Sequence, residues 1–268
     1  RNLLKGGIVL KERIYTIPVN EAFEVDSECP MCVLEKRIED DAIKYTLGPS
    51  MMEPDRRIET NKKGFCRRHF TKLYNAQENR LPLGLIIDTH LMEQNGILHD
   101  MYNKALPGLK KEAEISMAEH LVKGIKSRKD QTDEFIRAVT DKLSQLEKSC
   151  TICEKINFNM DKFTDVILYL YFKEPEFRDR FVSKKGFCLP HLKMLLEGSV
   201  KYLNKRQRSE FVMALMTMQL NNLDRIKEEV HWFTQMFDYK NRNASWKNSR
   251  DAIPRSIEKI CGPCDLNR

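Results

Sequence analysis

Between residues 213 and 237 an apolar side chain returns at every third or fourth position: Met213, Met216, Leu220, Leu223, Ile226, Val230, Phe233 and Phe237. That period draws one stripe along a long helix. A second long helix is predicted over 82–106, where Leu83, Ile86, His90, Ile97, Met101 and Ala105 share a face. Pro82 suits its first turn, where the missing N–H costs nothing, and Pro107-Gly108 reads as its stop signal. Shorter helical segments are predicted over 33–47 and 154–172. The one plausible extended segment is "ERIYTIPV" at 12–19, which reads as an N-terminal arm over 1–20. The stretch "KGIKSRKDQTD" at 123–133 has no apolar period and reads as a linker over 123–132. The pattern predicts an all-α protein.

One string interrupts the helices twice. "NKKGFCRRHF" at 61–70 is matched by "SKKGFCLPHL" at 183–192, and each is preceded by a Cys-x-x-Cys pair. The first copy holds Cys29, Cys32, Cys66 and His69, and the second Cys150, Cys153, Cys188 and His191. The intervening segments, 33–65 and 154–187, have nearly equal length. Repetition at about 120 residues reads as an internal duplication rather than a solenoid. The expected organisation is an arm (1–20), a metal-binding module (21–122), the linker (123–132), a second module (133–240) and a tail (241–268).

The residue types point to metal chemistry. Zinc takes four sulfur or nitrogen ligands at tetrahedral corners, and three cysteines with one histidine form a known structural set. Cys-x-x-His at a helix start puts both ligands on one face, with the helix N-terminus favouring thiolate. Gly64 and Gly186, two residues before the cysteine, let the backbone turn tightly. Phe65 and Phe187 are expected to wall the sulfurs from water, Pro190 fits a first helical turn, and Arg67 and Arg68 are available to offset negative charge. The sequence reading closes each copy on its own ion, giving two zinc ions per chain. An iron–sulfur cluster is the alternative, since spacing does not exclude it. His90, His99, His120 and His231 stand alone and read as ordinary core or surface histidines.

Composition then narrows the setting. Eight cysteines, six of them in the repeated pattern, read as ligands in a reducing, cytoplasmic compartment rather than as disulfides. The net charge of +7 is mild for 268 residues. Basic clusters such as Arg56-Arg57, Lys62-Lys63, Arg67-Arg68 and Lys205-Arg206 permit a nucleic-acid partner but are interspersed with acids. No apolar run spans a bilayer. P-loop, dinucleotide and nucleophile-elbow motifs are absent, so no enzyme class is assigned.

The segments "YTIPVNEAFEVDSECPMC", "YTLGPSMMEPDRRIETNKKGFCRRH" and "RDAIPRSIEKICG" resemble a family of uncharacterised bacterial proteins common in anaerobic, Clostridia-like genomes. Its members carry CPxC followed by GFCxxH, and some bear the label of ABC-transporter substrate-binding proteins. The resemblance implies a bacterial, anaerobic source, which raises the iron–sulfur alternative, and implies no activity. The second copy departs from the pattern, with Cys-Thr-Ile-Cys lacking the proline. Three function classes stay open: a zinc-stabilised helical protein that binds a protein or small molecule, a redox or metal-handling protein, and a nucleic-acid-binding regulator. Near the end stands Cys261-Gly262-Pro263-Cys264. It reads as a helix-ending turn, as a mobile dithiol tail, or as half of a third metal site.

Overall fold

The computed structural model describes residues 3–76, 80–114, 130–264 and 266. Among these residues all regular structure is helical. The α-helices are α1 (Leu3–Glu24), α2 (Pro30–Leu47), α3 (Pro54–Lys63), α4 (Arg67–Asn75), α5 (Leu81–Ala113), α6 (Gln131–Lys148), α7 (Thr151–Lys173), α8 (Pro175–Val182), α9 (Leu189–Tyr202), α10 (Lys205–Gln235) and α11 (Ala252–Cys261). The chain divides into two compact units. The first is Arg1–Glu39 with Ile156–Arg268, and the second is Asp40–Lys155. The division falls inside α2 and α7 and does not follow the expected order of 21–122 then 133–240. Residues 115–129, which include most of the expected linker, lie outside the described residues. Asp130 and Gln131 instead form the N-cap and first residue of α6.

The first unit is built on aromatic packing. Phe23 of α1 lies 4.9 Å from Phe177 and 5.8 Å from Phe181, ring centre to ring centre. Phe181 in turn meets Phe187 at 5.4 Å, and Tyr171 meets Phe211 at 5.1 Å. All these rings are buried, and each fully buried side chain of this size contributes about 1.5–3 kcal/mol. The expected extended arm is therefore corrected. "ERIYTIPV" lies within α1, because Tyr15, Val19, Ala22 and Phe23 recur at helical spacing and Val19, Ala22 and Phe23 are buried. Pro18 forfeits one helical hydrogen bond, a loss that this packing offsets. The stripe on α10 also shifts. Met213, Leu220 and Phe237 are exposed, and the inward face carries Phe211, Leu215, Met218, Gln219 and Ile226.

In the second unit α3 and α5 are joined by polar contacts. Arg57 donates to the Leu85 carbonyl and to Thr89 Oγ1, both at 2.9 Å, and Thr89 Oγ1 donates to Asn61 Oδ1 at 2.6 Å. α5 does not stop at Pro107-Gly108 but runs to Ala113. Its last turns are held by α6. Glu112 accepts from the backbone N–H groups of Gln131 and Thr132 at 2.8 and 2.9 Å, capping α6. Gly108 supplies the clearance, since a Cβ there would fall 1.8 Å from Gln131 Oε1.

Gly198 of α9 sets the approach to α7 in the first unit, because a Cβ at this position would lie 2.3 Å from Thr164 Cγ2. Gly198→Ala is expected to destabilise the protein by about 1–3 kcal/mol in urea unfolding, the usual cost of overpacking. Adding Thr164→Ser, which removes the clashing methyl, should recover most of that loss.

Candidate metal centres

Every ligand expected from the sequence sits at the N-terminus of a helix. Cys29 and Cys150 immediately precede α2 and α7, and Cys32 and Cys153 lie in the first turns. Cys66 and Cys188 are the N-caps of α4 and α9, which carry His69 and His191 one turn on. The glycines before them have φ of +64° at Gly64 and +84° at Gly186, in the left-handed region that only glycine enters freely. Phe65 and Phe187 are buried, and Pro190 occupies the first turn of α9.

The partners, however, are exchanged between the copies. Cys29, Cys32, Cys188 and His191 form one cluster, and Cys66, His69, Cys150 and Cys153 the other. Each cluster lies wholly within one unit. The expectation that each copy closes on its own ion is corrected.

The two arrangements fit a tetrahedral ion. In the first cluster Sγ of Cys188 lies 3.9 Å from that of Cys29 and 3.5 Å from that of Cys32. His191 Nδ1 is 3.5, 3.4 and 3.1 Å from Cys29, Cys32 and Cys188. In the second, His69 Nδ1 is 3.3 Å from both Cys66 and Cys153 and 3.2 Å from Cys150, and Cys66 and Cys153 are 3.8 Å apart. Zinc bonds of about 2.3 Å to sulfur and 2.0–2.1 Å to nitrogen imply tetrahedral edges of about 3.8 and 3.5 Å. None of the eight cysteines is in a disulfide.

Electrostatics agrees with a cation in the first cluster. Burial opposes charge on His191, yet Cys188, Cys29 and Glu35 together push its pKa up to about 12. Burial likewise opposes the Cys29 thiolate, but its neighbours Cys188, Cys32 and His191 pull its pKa down, whereas Cys188 and Cys29 push that of Cys32 up. The ligand set thus shares protons, which an ion displaces on binding. In the second cluster burial again opposes charge, and His69 outweighs it to bring Cys150 down to about 6.

Four residues given no site role from the sequence support these clusters. His191 Nε2 lies 3.3 Å from Glu35 Oε2, which fixes Nδ1 as the ligand nitrogen. The signal was Cys29-x-x-Cys32-x-x-Glu35, one helix face at successive three-residue steps. Gln219 is fully buried and receives the Phe187 N–H at 2.8 Å while donating to the Phe187 carbonyl at 2.9 Å. On α5, His90 Nδ1 donates to the Asn61 carbonyl at 2.7 Å, and Gln94 Nε2 donates to it at 2.8 Å. Each long helix therefore holds the Lys-Lys-Gly-Phe-Cys turn of its own unit. His90 is a support, and His99 and His231 are exposed. His120 lies outside the described residues.

Charge around the first cluster comes from a network of ion pairs. Glu28, beside Cys29, meets Arg225 at 2.6 Å, Arg255 at 3.3 Å and Lys259 at 3.1 Å. Burial opposes its charge, and Arg225 and Lys259 outweigh it, holding its pKa below the usual range. Burial also lowers the pKa of Lys259, against the pull of Glu28 and Cys29. Arg67 and Arg68 are exposed on α4. Beside the second cluster a cleft of about 610 Å³ is lined by Lys63, Cys66, Arg67, His90 and Glu147, among others. Cys261 is the exposed last residue of α11, and Gly262, at φ +85°, ends that helix. Cys264 is half-buried, its Sγ donating to the Gly262 carbonyl at 3.4 Å.

Fold and site together define an all-helical protein with two clusters of three cysteines and one histidine that can hold metal ions. The chain belongs to a family of unknown function, DUF6062, whose model matches residues 10–267. It is also similar to an uncharacterized 23.9 kDa protein in the xynA 3′ region of Caldicellulosiruptor sp. (strain Rt8B.4). The two are 31% identical over 88 residues, which cover 33% of this chain and 43% of that protein. The match thus spans less than half of the relative's length. No solved structure matches.

Gln219→Leu would leave the Phe187 N–H and carbonyl unpaired beside the first cluster. Urea unfolding is expected to show a loss of about 1–3 kcal/mol for each orphaned group.

Proposed function

We propose that the protein is a cytoplasmic helical binding protein in which each cluster holds one structural zinc ion. The observation that carries this reading is the ligand geometry. Four protein ligands converge in each cluster, their atoms all within 4.8 Å of one another, and the set leaves no open position for catalysis. A multi-iron cluster interposes its own sulfides and holds its protein ligands farther apart, so a single ion is the better fit. No described helix is long and apolar enough to cross a membrane. Ile253, Ile257 and Ile260 form an exposed stripe on α11 that suits a protein partner. Arg56 and Lys63 are already engaged by Glu59, which favours this reading over nucleic-acid binding.

Metal handling or thiol redox chemistry is the second reading. It draws on the half-exposed Cys66 and Cys153, the cleft beside Cys66, and the exposed Cys261.

Protein purified without oxygen should be colourless and carry two equivalents of zinc. A brown sample containing iron and inorganic sulfide would overturn the zinc assignment. The exchanged pairing makes a sharper demand. Cys29→Ser combined with Cys188→Ser should cost one zinc and leave the other bound, whereas closure of each copy on itself would cost both.

A further inference from the structure

The two clusters solve one local problem differently. In the second cluster the ligand-bearing turns are tied directly: Ser149 Oγ donates to the Lys63 carbonyl at 2.6 Å, and the Thr151 N–H donates to the Gly64 carbonyl at 3.3 Å. Ser149 immediately precedes Cys150, and Lys63 stands three residues before Cys66. At the same two places in the first cluster stand Glu28 and Lys185. Glu28 carries no donor that can serve the Lys185 carbonyl when ionised. The donor comes from α11 instead. Lys259, only 1% exposed, sends its ammonium to the Lys185 carbonyl at 2.7 Å and the Glu28 carbonyl at 2.6 Å, with Glu28 Oε2 at 3.1 Å. An ammonium has three protons, and these three acceptors use them all.

We propose that Lys259 is a positioning residue for the first metal centre, clamping the Cys29 turn to the Cys188 turn and so making α11 a latch whose docking and metal retention form one equilibrium. Gly262 extends the contact: a Cβ there would fall 3.8 Å from Cys188 Sγ and 3.7 Å from Pro190 Cγ, so the end of α11 lies against the cluster itself. The clamp also brings positive charge. Three thiolates and a divalent ion carry a net negative charge, and an ammonium on the backbone of both turns offsets it where the second cluster uses a neutral hydroxyl. Arg255 secures the same helix, bonding Glu229 at 2.5 Å and the Asn248 carbonyl at 2.5 Å. The clamp rests on the reading that this cluster holds zinc.

The test is the full chain with Lys259→Met, which keeps the buried stem and removes the ammonium. Zinc release to a chromophoric chelator is followed together with alkylation of the thiols, mapped by peptide mass. The expected result is release of one zinc ~10–100-fold faster, the range for losing an outer partner of a metal ligand. Cys29, Cys32 and Cys188 should be alkylated in step, with Cys66, Cys150 and Cys153 at the wild-type rate. Unaltered rates for both sets, or equal acceleration of both, overturn the clamp. Should Lys259→Met not accumulate as folded protein, hydrogen exchange on the wild type decides. Stripping the metal should expose the amides of 252–261 together with those of 28–32 and 185–188, and retained protection of 252–261 overturns the latch. Wild-type zinc content below two counts against the metal reading itself, whereas full content with unaltered release counts against the clamp alone.

Discussion

Four thiol or imidazole groups brought within hydrogen-bonding distance of each other cannot all take their ligating form unless a cation joins them, and this constraint governs both units. The protein meets it by pairing helix N-termini: α2 with α9 in one cluster, α4 with α7 in the other. Each helix start supplies two ligands one turn apart and a positive dipole end that favours thiolate. The surrounding structure serves this pairing. Buried amides on the long helices hold the glycine turns, and Glu35 sets the ring nitrogen of His191 that faces the thiols.

Exchange of ligand pairs between the copies costs little in chain entropy. Closing the loop over residues 33–187 instead of 33–65 lengthens it between four- and five-fold. At about 0.6 kcal/mol per doubling this adds only ~1.3 kcal/mol. A difference this small does not decide the pairing. Each observed pairing joins ligand turns that belong to one unit, and the first unit forms from both ends of the chain.

The two centres share a ligand set but not an environment. Cys29, Cys188 and His191 are buried, and the first cluster sits among Glu28, Arg225, Arg255 and Lys259. The second leaves Cys66 and Cys153 half-exposed, with a cleft beside Cys66. Packing of α11 accounts for part of this difference, since a C-terminal segment that reads as a tail is a helix with Ala252 and Lys259 buried.

The sequence by itself determined the helical class, the eight cysteine and histidine residues of the two clusters, the glycine turns and the helix starts at which those residues sit. These are local properties, written in 3.6-residue periods, in Cys-x-x-Cys and Cys-x-x-His spacing, and in a glycine that tolerates positive φ. Only the tertiary structure decided which ligand pairs meet, because both copies offer the same chemistry at the same spacing and nothing local distinguishes one partner from the other. It also decided the helical state of 12–19, where burial of Val19, Ala22 and Phe23 overrode a proline and an extended-looking pattern. The extension of α5 past Pro107 followed from Glu112 capping α6. Lys259 was beyond the reach of any sequence pattern for the same reason: its three acceptors lie at Glu28 and Lys185, and only folding brings them to it.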